Sequence, residues 1–406
     1  MTEQTDTPVL RFKSFNDKWS SSTIGALGDF YYGKSAPKWS ITEDVGIPCI
    51  RYGELYTKFN NVVKEIYSYT SMPKEKLRFS KGGEILIPRV GEDPLDFAKC
   101  VYLPQKDVAI GEMISVYNTK ENPLFLTYYF NTKMKYEFAK RVEGASVSNL
   151  YYSYLEDIKL KIPDIREQEK LGEFFSKLDQ QIELEEKKLE LLEQQKKGYM
   201  QKIFSQELRF KDKKDNYYSD WKNCQLKDLT YYKNGKGYEK VATTNGKYNI
   251  INLNSIGIKG QLKDSGKYTD FEDDTLLKND LIMILSDVAK GNLIGMTAII
   301  DEDNKYLLNQ RIALLRIKNS LITNAYFLYL YINFNRKYFI NMSAGMSQLN
   351  INKKTVEDFP VNLPNIEEQN KIAILFKNYG DTIKKQASKV KLLKQRKQGL
   401  LQKMFV

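Results

Sequence analysis

Apolar residues between 171 and 203 recur in alternating steps of four and three: Leu171, Phe175, Leu178, Ile182, Leu189, Leu192, Tyr199 and Ile203, with Glu185 and Lys196 in two skipped slots. The stretch from 372 to 404 repeats this pattern with Ile372, Phe376, Tyr379, Ile383, Val390, Leu393, Leu400 and Met404, and with Gln386 and Lys397 in the same slots. A mean spacing of about 3.5 residues is that of a coiled-coil seam, so each stretch predicts one long helix. Pro163 and Pro364 stand just ahead of the two helices, and Glu167, Glu169, Glu367 and Glu368 favour their positive N-terminal ends.

The remaining sequence has shorter periods and predicts mixed α/β structure. Segments 46–55 (GIPCIRYGEL), 83–90 (GEILIPRV), 248–256 (YNIINLNSI) and 280–288 (DLIMILSDV) are rich in β-branched residues and bounded by Gly, Asn or charge, which predicts strands. Segments 124–140 and 325–340 are aromatic with helical spacing, and their high apolar content predicts core helices rather than stacking platforms.

The chain is a tandem repeat. At an offset of 201 residues, 16 of 42 positions are identical between 163–204 and 364–405. The register extends backward through Gly144/Gly345, Ser146/Ser347 and Asn149/Asn350, and the segment LRFK occurs at both 10–13 and 208–211. Trp19, Gly33 and Lys34 correspond to Trp221, Gly235 and Lys236. Each half therefore holds a diverged part and a well-matched tail, giving globular domains at 1–160 and 206–360 and spacer helices at 161–205 and 361–406. Shared tails beside diverged domains imply one job for the former and different jobs for the latter. Around 50–55 and 251–256 the apolar frame is alike, while Arg51-Tyr52-Gly53-Glu54 faces Asn252-Leu253-Asn254-Ser255. Such a pattern fits two domains of one fold that read different surfaces.

Charge separates the tails. Residues 166–204 carry 8 basic and 9 acidic side chains, whereas 367–405 carry 10 basic and 3 acidic. Opposite flanks favour pairing of the first helix with the second over self-pairing. The expected architecture is α/β (α+β): two globular domains separated by two long antiparallel coiled-coil helices, pseudo-twofold symmetric. At about 1.5 Å per residue such a helix spans roughly 50 Å, a ruler of about one and a half turns of B-DNA.

The net charge of +12 over 406 residues suits a polyanionic partner. The chain has no histidine, which removes Ser-His and Cys-His nucleophile systems. Three cysteines without a C-x-x-C pair fit a reducing cytosol. The start, MTEQTDTPVL, shows no basic run before an apolar stretch, and no span of about 18 apolar residues occurs, so no signal peptide and no membrane span are expected. The expected compartment is cytoplasmic.

The entry P-x-I-x-E-Q before a heptad helix, present twice, resembles the specificity subunit of type I restriction–modification enzymes. The LRF segment with a Trp after it and the segment GIPCIR add to the resemblance, which covers essentially the whole chain. It implies two target recognition domains that read the two parts of a split double-stranded DNA sequence. It also implies helices that fix the gap and dock two methyltransferase (modification) subunits, with restriction/translocase subunits joining in the full complex. No cofactor is expected in this chain; S-adenosylmethionine, ATP and Mg belong to the partner subunits in that family.

Candidate chemistry within the chain is slight. The segment NPLF at 122–125 lacks the second proline of the adenine methyltransferase motif, and GQLKDSGKY at 260–268 lacks the spacing and hydroxyl of a phosphate loop. Base reading calls for Arg, Lys, Asn or Gln near turns and strand ends. The candidates are Lys34, Arg51 and Arg89 in the first domain, with Lys236, Asn252, Asn254, Lys290 and Asn292 in the second. Tyr31 and Tyr32 either contact the DNA backbone or pack. The candidate helix-pair and partner-subunit interface is Leu171, Phe175, Leu178, Ile182, Leu189 and Leu192 with Ile372, Phe376, Tyr379, Ile383, Val390 and Leu393. Two paired helices considered alone leave Phe174, Phe204, Leu375 and Phe405 only partly covered, which invites partner helices. A coiled-coil adaptor without a DNA role and a self-contained methyltransferase are the alternatives; the missing motifs disfavour the latter.

Overall fold

The two long helices form where the heptads predict them, at Ile165–Phe204 and Ile366–Met404. The computed structural model describes residues 7–34, 36–287, 293–345 and 348–406. The chain divides into two units, residues 1–188 with 387–406 and residues 189–386. Unit one is therefore discontinuous, because its last segment comes from the end of the second long helix.

Among its described residues, unit one holds two larger sheets beside two two-stranded ones. An antiparallel sheet runs in the order Gly28–Tyr32, Ile114–Thr119, Glu84–Pro88, Val101–Leu103. A mixed sheet runs Ile41–Thr42, Ser68–Thr70, Ile47–Ile50, Lys106–Ile110, Phe79–Lys81, with Ile47–Ile50 and Lys106–Ile110 parallel. Unit two repeats the plan. Its antiparallel sheet is Thr230–Asn234, Ile312–Ile317, Leu281–Ile284, Thr297–Ile299. Its second sheet is Tyr268–Thr269, Tyr248–Ile251, Tyr306–Leu308, again with one parallel pair.

The predicted strands are shorter than their apolar runs. After Ile50 the chain turns into a helix, Tyr52–Thr57, because the Glu54 carboxylate accepts the Arg51 backbone N–H (2.7 Å). After Ile251 a single 3₁₀ turn, Leu253–Ser255, forms because the Ser255 hydroxyl accepts the Asn252 N–H (2.9 Å). The run 83–90 breaks at Arg89, and 280–287 breaks at Leu285. The aromatic segments are helical at Pro123–Lys133, Lys135–Ala139, Ala325–Phe334 and Lys337–Asn341. Asn122 caps the first of these through the Phe125 N–H (2.8 Å), so NPLF is a helix start with Pro123 at its first position. No helix among the described residues is long and apolar enough to cross a membrane.

The repeated entry motif joins helix to domain. Glu167 and Glu368 are almost fully buried, and each receives an arginine from an LRF segment. Arg11 donates through Nε (2.7 Å) and Nη2 (2.6 Å) to Glu167; Arg209 donates through Nε (3.2 Å) and Nη2 (2.8 Å) to Glu368. The next residue works equally twice. The Gln168 amide oxygen accepts the Asn122 N–H (3.0 Å), while its nitrogen donates to Pro163 O (2.9 Å). Gln369 makes the same pair of bonds to the Asn324 N–H (2.8 Å) and Pro364 O (2.8 Å). Leu10 donates its N–H to Lys403 O and Leu208 to Lys202 O, both at 2.9 Å. In each unit the LRF segment therefore ties the last turn of one long helix to the first turn of the other.

One expectation about these helices changes. Phe204 and Phe405 do not remain as surface for a partner. Phe405 sits among Phe125, Tyr129 and Phe175 in unit one, and Phe204 among Phe327, Tyr331 and Phe376 in unit two. Leu171, Phe175, Ile372 and Phe376 are buried in the same cores, where Phe175 meets Phe405 and Phe376 meets Phe204 from the end of the other long helix.

Along the rest of the seam, Leu178, Ile182 and Val390 are buried, while Leu189, Leu192, Tyr379, Ile383 and Leu393 are half-buried. The segments run antiparallel in each unit. Lys397 meets Asp179, Lys389 meets Glu185 and Lys394 meets Glu186 (2.5 Å) in unit one; Tyr199 meets Tyr379 (5.8 Å between ring centres) in unit two. The skipped slots Glu185 and Lys397 are thus ion-paired, as the opposite flank charges require.

Truncating Phe405 to Ala removes one wall of unit one's aromatic core and should cost about 3–5 kcal/mol. In hydrogen exchange, amides of residues 7–188 should lose protection while those of 206–360 keep theirs. Equal loss in both units would show that Phe405 does not stabilise unit one selectively.

Candidate nucleic-acid interface

Three strand ends meet in unit one at the short connection Gly111-Glu112-Met113. Gly33 donates its N–H to Ile114 O (3.0 Å), Lys34 to Ile110 O (2.9 Å), Gly111 to Ile50 O (2.9 Å) and Arg89 to Met113 O (3.0 Å). The approach is so close that a Cβ on Gly33 would lie 2.0 Å from the Gly111 carbonyl oxygen, which is why this position is glycine. Lys34, Arg51 and Arg89, dispersed in sequence, are thereby brought to one junction.

Arg78 joins them. Its carbonyl accepts the Ile110 N–H (2.9 Å) and its Nη1 donates to Tyr32 O (2.7 Å), while the guanidinium lies 5.4 Å from the Tyr31 ring centre. Arg89 sits between two rings, 4.5 Å from Tyr32 and 5.2 Å from Tyr151. Both guanidinium groups lie over tyrosine rings and have no carboxylate partner among the described residues. Burial raises the Tyr32 hydroxyl pKa, against the smaller opposing pull of Arg89, so the ring stays neutral. Glu54 does not offset the cluster from the surface, because it is buried and accepts the Arg51 N–H and the Ser68 hydroxyl (2.7 Å). Glu112 is the exposed acid of the connection.

Unit two builds the same junction from different side chains. Gly235 donates to Ile312 O (3.0 Å), Lys236 to Leu308 O (2.9 Å), Asn309 to Ile251 O (3.0 Å) and Leu285 to Arg311 O (3.0 Å). A Cβ on Gly235 would again lie 2.0 Å from a carbonyl oxygen, here that of Asn309. Lys236, however, is held by both oxygens of Asp273 (2.6 and 2.8 Å), which also accepts the Tyr238 hydroxyl (3.0 Å). Lys233 pairs with Asp274 (2.6 Å). The Lys236 bond is the main reason that the Asp273 pKa falls to about 2, helped by the Asp274 N–H. Its folded pKa lies below the ordinary aspartate value. The pair is therefore intact at neutral pH and is lost only as pH falls from the ordinary aspartate range towards about 2.

Asn252 spends its side-chain oxygen on the Asn254 N–H (2.9 Å), and Asn254 itself is exposed in the turn. Lys290 and Asn292 lie outside the described residues. Sequence reasoning missed Arg78, Tyr151 and Arg311. Arg311 was accessible by matching Ile114 to Ile312, which sets Gly111-Glu112-Met113 against Asn309-Gln310-Arg311. Arg78 and Tyr151 carry no sequence signal, because only the fold brings them to the junction.

A family model described as type I restriction modification DNA specificity domain matches the chain twice, over residues 16–194 and 218–394. The type I restriction enzyme MjaVIII specificity subunit of Methanocaldococcus jannaschii is 21% identical over 296 residues, which is 70% of each chain. The putative MjaX specificity subunit from the same organism is 24% identical over 270 residues, 64% of this chain and 61% of its own. Among solved structures, the type I restriction–modification S subunit from M. genitalium aligns with a TM-score of 0.64 at 17% identity, over 98% of this chain and 99% of its own. A chain from a structure concerning complex assembly and conformational transition of the type I R-M system aligns at 0.56 and 13%, over 95% and 97%. At these identities the structural likeness is one of fold.

Replacing Asp273 by Asn releases Lys236 and removes one negative charge from the junction. Duplex DNA titrations of the full chain at several salt concentrations should give a log–log slope steeper by about one. An unchanged slope removes Lys236 from the interface.

Proposed function

The chain belongs to the type I restriction–modification DNA specificity family, and from that premise we propose that each unit reads one part of a split double-stranded DNA target. In this reading the paired long helices fix the gap between the parts and dock two modification subunits. The observation that carries it is the junction built twice with the same backbone hydrogen bonds and different side chains: Arg51, Arg89 and Met113 against Asn252, Leu285 and Arg311. A constant frame with variable polar contents is what one fold needs to read two unlike base sequences. An adaptor without a DNA role gives no reason for cations held on tyrosine faces at one strand junction.

The chain is a non-catalytic specificity subunit. Methyl transfer from S-adenosylmethionine is assigned to the modification subunits, and ATP- and Mg-dependent translocation and cleavage to restriction subunits. For docking, the apolar groups left outside the seam are the candidates: Leu184, Leu191 and Leu392 are half or more exposed, and Leu191 and Leu392 are equivalent in the repeat. Such a duplicated face supports two identical partners per chain.

Co-purification with a modification subunit followed by mapping of methylated adenines tests the proposal. The expected outcome is two modification subunits per chain and one bipartite motif with a fixed gap. A heptad inserted into both long helices should change that gap or abolish methylation. Arg51→Ala should alter one part of the motif and leave the other intact. Full activity with an unchanged gap would sink the spacer role, and a single bound modification subunit at saturation would contradict the twofold docking.

A further inference from the structure

We propose that Arg311 is a guanine-reading, specificity-determining residue of unit two; this rests on the DNA-recognition reading above and names one residue within it. The argument starts from a pair of positions. In unit one Arg89 donates its N–H to Met113 O; in unit two Leu285 donates its N–H to Arg311 O, both at 3.0 Å. Each pair holds one arginine and one apolar residue, but the arginine has changed sides. The backbone hydrogen bond is constant, so this exchange moves the arginine to the other strand of the same bonded pair.

Neutralisation of the neighbouring charges singles out Arg311 further. Lys236 is taken by Asp273 and Lys233 by Asp274. Gln310 donates to Glu239 (3.1 Å), and Arg316 is held by both oxygens of Asp280 (2.8 and 2.7 Å). Arg311 is exposed and its guanidinium has no carboxylate partner among the described residues. Its backbone is nevertheless fixed, because Asn309 donates to Ile251 O, Ile312 donates to Asn309 O (3.1 Å), and the Arg311 carbonyl is used by Leu285. An exposed guanidinium on a short, pinned connection meets two needs at once. Its planar donors match the O6 and N7 acceptors of guanine in the major groove, and little order must be gained on binding. A phosphate contact needs only charge, so lysine serves there as well as arginine.

The test uses the full chain with its modification subunits and a randomised duplex library. Selection by the wild type should yield a bipartite motif with a required guanine in one part. Arg311→Ala and Arg311→Lys should both relax discrimination at that guanine alone, by roughly 5- to 150-fold, with the other part of the motif and the melting temperature unchanged. Uniform weakening by Arg311→Ala across all sequences, a salt slope lower by about one and recovery by Arg311→Lys would identify a phosphate contact and overturn the proposal. Wild-type selectivity retained in both variants would also overturn it. A wild-type complex that enriches no motif would instead remove the DNA-recognition reading beneath it.

Discussion

Two buried carboxylates, Glu167 and Glu368, fix how each long helix leaves its domain. A carboxylate taken out of water without a partner costs several kcal/mol, so neither can remain buried unless a cation is delivered to it. The cation comes from an LRF segment, bidentate in each case. Because the guanidinium fork accepts only one orientation, the pair sets both the position and the rotation of the helix start. The adjacent glutamines then tie the same turn to the start of the aromatic helix, and Phe175 and Phe376 reach their cores as a consequence. The entry motif that recurs in the sequence is thus a mechanical joint.

The joint makes the rest of each domain free to differ. The strand order of the four-stranded sheet, one parallel pair and the glycine contact at the junction are kept in both units, since all three belong to backbone packing. The side chains that project from this frame are under no such demand. Unit one uses arginines braced on tyrosine rings, where the surrounding desolvation keeps the phenols neutral. Unit two neutralises its lysines with aspartates and leaves an arginine outside the network. If the junction reads DNA as proposed, recognition is separated from stability, because the buried joint shares no side chain with the junction surface.

Much of this was legible in sequence because periodicity reports burial directly. The seam positions and the two helices follow from the four-and-three spacing, and Glu185 and Lys397 sit opposite charges as the flank composition implies. Two kinds of feature were not legible. Strand ends such as Ile50 and Ile251 depend on single side-chain bonds from Glu54 and Ser255, which no hydrophobic pattern encodes. The junction assembles from residues far apart in the chain, so Lys34, Arg51 and Arg89 could be nominated singly, while Arg78 and Tyr151 had no reason to be. Phe204 and Phe405 misled because a heptad pattern does not distinguish a ring facing a partner from one entering a domain core.

The discontinuity of unit one bears on how the protein is made. Its first 188 residues leave the ribosome well before residues 387–406, with all of unit two translated in between. At about 5–20 residues per second that delay is roughly 10–40 s. During it, the aromatic pocket destined for Phe405 stands open and the Leu10 N–H lacks its carbonyl. Unit two, continuous from 189 to 386, is released whole and can settle first. The nascent amino-terminal half is then the stage most exposed to chaperones and proteases, until residues 387–406 arrive to complete unit one.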